Sequence, residues 1–114
     1  MRDIDDVPRP NGELAMQVIA MPADTNADGD IYGGWLMSQM DLAAGITAGR
    51  RAGGRVATVA VASMAFLSPV NVGAVVSCYT DVLEVGRSSI RINVEVWLAE
   101  YDDEDTIKVT EGEF

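Results

Sequence analysis

The chain has no histidine among its 114 residues. That excludes Ser-His and Cys-His nucleophile pairs, and every histidine metal site, in one step. Acid–base chemistry must then come from carboxylates, Lys108, tyrosines or bound water. There is one cysteine, Cys78, so no internal disulfide forms. A lone thiol points to a reducing, cytoplasmic setting. No apolar run reaches the roughly 20 residues that cross a bilayer, and no stretch reads as a signal peptide. Bases are scarce: 8 Lys and Arg against 18 Asp and Glu leave a net charge of −10. Nucleic acid and anionic membranes are therefore not expected partners.

The acid excess is uneven. Residues 1–30 hold seven acids and two bases, and residues 100–114 hold seven acids and one base. Residues 31–99 hold four acids (Asp41, Asp81, Glu84, Glu95) against five arginines (Arg50, Arg51, Arg55, Arg87, Arg91). The middle of the chain can hold a small polyanion while the whole stays acidic.

At 48% apolar and 23% charged residues, the composition is that of one globular domain spanning 1–114. Residues 1–12, polar with two prolines, read as a loose leader. Leu14–Met21 reads as a strand, and Pro22–Ile31, dense in Asp, Asn and Gly, as a structured loop. Gly33 to about Arg50 reads as a helix apolar on nearly every face, stopped by Gly53-Gly54. Three strands follow. Arg55–Leu67 is expected to be continuous and buried on both faces, and Ala74–Val85 is the second. Ser89–Glu100 alternates, with Ile90, Ile92, Val94, Val96 and Leu98 inward and Arg91, Asn93, Glu95 and Trp97 on a wetter face. Thr106 begins a last strand, which is expected to run beyond Phe114. One helix among many strands excludes a doubly wound parallel fold. What remains is an α+β chain, one antiparallel sheet wrapped round a central helix. That is the hotdog architecture, whose usual unit is a dimer.

Asp41 is the anomaly in the helix. A carboxylate among apolar neighbours is expected to be buried, and buried acids are paired or used. It suits a general base for water, or a nucleophile forming an acyl anhydride. Gly33-Gly34 leave free backbone N–H groups at the positive end of the helix, where an oxyanion can sit. Asn26 offers a carboxamide that orients water or a carbonyl but cannot act as a base. Asp24, Asn26, Asp28 and Gly29 imitate the start of a calcium loop. Trp35 stands where that loop needs a bidentate Glu, so no metal is expected. Arg55 and Arg87-Ser88 stand at strand starts and turns, where phosphate can be gripped. Cys78 has no base to activate it and reads as core.

Met21–Gly45 (MPADTNADGDIYGGWLMSQMDLAAG), Gly54–Tyr79 (GRVATVAVASMAFLSPVNVGAVVSCY) and Gly86–Trp97 (GRSSIRINVEVW) resemble the YciA-type acyl-CoA thioester hydrolases, a bacterial hotdog family. The resemblance runs from Leu14 through nearly the whole chain. It implies hydrolysis of acyl-CoA, with coenzyme A entering as part of the substrate and no other cofactor. It implies a dimer-interface site in which Asp41 of one subunit faces Asn26 of the other, and assembly as a trimer of dimers. The thioester carbonyl would be polarised at Gly33-Gly34. The phosphates of coenzyme A would lie near Arg55, Ser63, Arg87 and Ser88. Two departures stand out. Ala62 replaces a Glu carried by many relatives, and relatives complete the last strand and add a tail. A non-catalytic acyl-CoA-binding or regulatory hotdog module is the alternative. A hotdog dehydratase normally needs a histidine, and this chain has none.

Overall fold

The computed structural model describes residues 10–25, 33–58, 61–66, 70, 72–99 and 106–114. In chain order these form β1 (Glu13–Ile19), a short 3-10 helix (Pro22–Asp24), α1 (Gly33–Ala52), β2 (Ala62–Phe66), β3 (Val75–Val85), β4 (Ile90–Ala99) and β5 (Thr106–Glu113). The five strands make one sheet in the order β1-β3-β4-β5-β2, and every neighbouring pair is antiparallel. The expected hotdog arrangement is what folds.

The helix docks by one stripe. Leu36, Met40, Ala43 and Ala44 recur at helical spacing and are buried, with Trp35 beside them. They pack with Val76 and Cys78 of β3 and Ile92, Val94 and Val96 of β4 in a single core. Fully burying a side chain such as Met40 contributes about 1.5–3 kcal/mol. Thr47 and Thr80 share a 2.6 Å hydroxyl hydrogen bond that satisfies two polar groups at this seam. The helix ends where Gly53 turns to φ +72, and the Gly53 and Gly54 N–H groups both donate to the Gly49 carbonyl.

Three expectations are corrected. The helix is not wrapped on all sides: Met37, Leu42 and Ile46 are exposed on the face away from the sheet, and so is Asp41. One sheet covers one side of a helix, and a single chain has nothing else to lay on the other. The strand expected from Arg55 is β2 at Ala62–Phe66; residues 55–58 and Val61 are irregular and exposed. An apolar run without alternation does not say where pairing begins. The wetter face of β4 is not wet in its middle: Glu95 and Trp97 are each only 4% exposed.

The burial of Glu95 explains how the leader ends. Its Oε1 meets Lys108 Nζ at 2.8 Å, and its Oε2 accepts the Asn11 N–H at 2.6 Å. Residues 10–12 are thus pinned across the outer face of the sheet rather than loose; residues 1–9 lie outside the described residues. Gly12 makes this crossing at φ +102, where a Cβ would stand 2.2 Å from the Thr80 carbonyl oxygen. Gly12→Ala is expected to destabilise the chain by about 2 kcal/mol or more, from left-handed strain plus the clash. Urea melts check this, and an unshifted midpoint would contradict it.

Cys78 faces the core of β3, and burial pushes its thiol up to about 12. The thiolate is the reactive form, so the folded protein should be inert to thiol-detecting disulfide reagents at neutral pH. One thiol per chain should appear on denaturation, and rapid labelling of the native protein would refute the placement.

Candidate active site

The exposed face of α1 carries the candidate chemistry. Gly34, Ser38 and Asp41 follow at helical spacing along it and are exposed. Gly33 begins the helix, so the first N–H groups have no partner within it. The Ser38 hydroxyl folds back and donates to the Gly34 carbonyl at 3.0 Å. Gly34 and Asp41 are two turns apart, about 10 Å along the axis. Asn26 lies outside the described residues. The loop that holds it leaves β1 through the 3-10 turn, where Asp24 Oδ2 accepts the Met21 N–H at 3.0 Å. Asp24 therefore caps a turn. Among the described residues no cluster of acids or Cys78 could hold a metal ion.

Asp41 has one described partner. The Thr58 hydroxyl donates to Asp41 Oδ1. This bond orients the carboxylate, and among the described residues nothing is bonded to Oδ2. Thr58 comes from the irregular segment that follows the helix, which is why no sequence pattern singled it out: expected in a buried strand, it stands exposed beside the helix.

Thr58 also lines a cleft of about 610 Å³. The cleft lies between the C-terminal half of α1, residues 55–58 and the β3–β4 turn, with Phe114 at one side. Arg55, Arg87 and Ser88, picked from the sequence as phosphate contacts, all line it. Arg51, counted in the sequence only among the five arginines of residues 31–99, joins them. Among the described residues no acid lines the cleft. Among the described residues, the ion pairs use Arg91 and Lys108 and leave Arg51, Arg55 and Arg87 without a carboxylate. Three guanidiniums with no carboxylate partner among the described residues, in a protein of net charge −10, make a local anion site. Ser63 lies on β2, and its side chain is outside the described residues.

The fold and this face define a hotdog protein with an acid on its helix and a cationic cleft beside it. Residues 28–102 match the family model of the Thioesterase superfamily, and the chain belongs to that family. It is similar to the acyl-CoA thioester hydrolase YciA of Salmonella typhimurium, 53% identical over 108 residues, covering 92% of this chain and 81% of that protein. An uncharacterized acyl-CoA thioester hydrolase of Haemophilus influenzae is 60% identical over 87 residues, 76% of this chain, but the match spans only 56% of that protein. A crystal structure of a hexameric thioesterase from Yersinia pestis superimposes with a TM-score of 0.89 at 53% identity, covering 94% of this chain and 92% of that one. The resemblance carried by Met21–Gly45 is borne out, as are the hotdog fold and the thioester hydrolase class.

Proposed function

We propose that the protein hydrolyses acyl-CoA to a free carboxylic acid and coenzyme A, using Asp41 as a general base. The observation that carries this is Thr58, which holds Asp41 and lines the arginine cleft at once. A substrate charged at one end and reactive at the other needs that adjacency. With Thr58 holding Oδ1, the Asp41 carboxylate takes a proton from water as the water attacks the thioester carbonyl, and returns it to the coenzyme A thiolate as the C–S bond breaks. The developing oxyanion is met by N–H groups at the Gly33-Gly34 helix start, and Asn26 of the partner subunit positions the water.

A second copy completes the site. Met37, Leu42 and Ile46 leave an apolar strip around Asp41, with Leu42 57% exposed. A strip of this kind on a helix supports docking of a like surface, which shields the carboxylate from bulk water. A dimer formed there, and three dimers in a hexamer, agree with the hexameric thioesterase of Yersinia pestis. No helix among the described residues is long and apolar enough to cross a membrane. A single buried thiol suits a reducing cytoplasm.

Arginines gripping phosphate act on binding more than on chemistry. Arg51→Ala and Arg87→Ala are each expected to raise KM for acyl-CoA about tenfold, with kcat nearly unchanged. Thiol release across acyl chains from acetyl to palmitoyl checks this. Binding of a non-hydrolysable acyl-CoA without any turnover would favour the regulatory module instead.

A further inference from the structure

We infer that one chain holds both ends of a given substrate: the chain that presents Asp41 to a thioester also grips that thioester's nucleotide. This rests on the hydrolase reading above and adds how the two subunits divide the work.

The cleft is built by one chain. Its walls come from the end of α1, the segment reaching Thr58 and the β3–β4 turn of that chain. Thr58 then fixes where the cleft leads, since its hydroxyl is bonded to the Asp41 of the same chain. Between that carboxylate and the arginines, the helix contributes only Ala44, Gly45 and Ala48 to the cleft. Side chains this small leave a passage for a slender, unbranched arm. Asp41 and Arg51 are ten residues apart, about 15 Å along the helix. In the opposite arrangement, a substrate held by the arginines of one chain would bypass the carboxylate adjoining its own cleft and cross to the other chain's.

Subunit complementation tests this. Chains carrying Asp41→Ala and chains carrying Arg51→Ala with Arg87→Ala are co-expressed with different tags. Mixed oligomers are isolated by sequential capture, and hydrolysis is measured below KM. If both ends act within one chain, every site in a mixed dimer keeps one defect. Turnover then stays at the level of the parental variants. If the ends act across chains, one site in each mixed dimer is whole. About a quarter of wild-type turnover then returns at equal dose, half the dimers being mixed with one intact site of two, and the inference falls. A parallel mixture of Asp41→Ala with Asn26→Ala separates this from the shared-seam reading. Recovery there, without recovery in the arginine mixture, is the expected result. Recovery in neither mixture of verified mixed oligomers would remove the shared seam and leave the whole site within one chain, still in agreement with the inference.

Discussion

Replacing Asp41 by alanine is expected to lower kcat for acyl-CoA hydrolysis by about a hundredfold to ten-thousandfold, the usual worth of a positioned base. Stability should change by no more than about 0.5 kcal/mol, because the side chain is exposed and packs into no core. Asp41→Asn sharpens the result. The amide oxygen can still accept from Thr58, as Oδ1 does now, but the group cannot take a proton. A base therefore predicts that both variants fail alike. A merely orienting residue predicts that Asn rescues. Thiol release at saturating substrate, alongside a melt of each variant, decides between them. Equal turnover by Asp41→Ala would remove this residue from the mechanism.

Lys108→Met is expected to destabilise the fold by about 3 kcal/mol, a large share of a small domain's stability. Lys108 Nζ bridges Glu95 at 2.8 Å and Glu111 at 2.6 Å. Without it Glu95 keeps its bond to the Asn11 N–H but is left buried with no cation beside it among the described residues. Adding Glu95→Gln should restore much of the loss, since the uncompensated charge rather than the missing bridge carries the penalty. Urea titrations of the two single variants and the double close the cycle. Additive losses would show that the pair is not coupled.

The same cluster sets a pH dependence. Burial alone would lower the Lys108 pKa, but its hydrogen bonds to Glu111 and Glu95 and their charges outweigh burial and raise it above its ordinary 10.5. Its contribution is complete below that value and is lost as pH rises through the raised one. The hydrogen bond from Lys108 holds Glu111 below its ordinary 4.5 against the opposing effect of burial, with Asn93 assisting. That contribution is present above 4.5 and is lost as pH falls through the lowered value. The cluster should therefore stabilise evenly across neutral pH and weaken only towards the two extremes.

Much of the fold was legible in the chain. The alternation of Ile90–Leu98 placed β4, and Gly53-Gly54 placed the end of the helix within two residues. The resemblance along Met21–Gly45 pointed to the thioesterases before any coordinates did. Arg55 and Arg87 stood out as phosphate contacts because they lie at turns in an arginine-rich middle. Thr58 and Arg51 did not stand out as site residues, and neither did the buried Glu95 on a face that alternation marks as wet. Each owes its role to a neighbour distant in sequence: Asp41 for Thr58, the β3–β4 turn for Arg51, Lys108 and Asn11 for Glu95.

By itself the sequence determined which elements form and which chemistry is possible, because periodicity, glycine stops and the absence of histidine act locally or through composition. Tertiary structure decided which face of α1 stays bare, and that Asp41 lies on it. It also decided that Arg51, Arg55 and Arg87 line one cleft with Thr58, the residue that bonds that carboxylate. A sheet has to cover one side of a helix before the other side can become a site, and no local pattern states which side that will be.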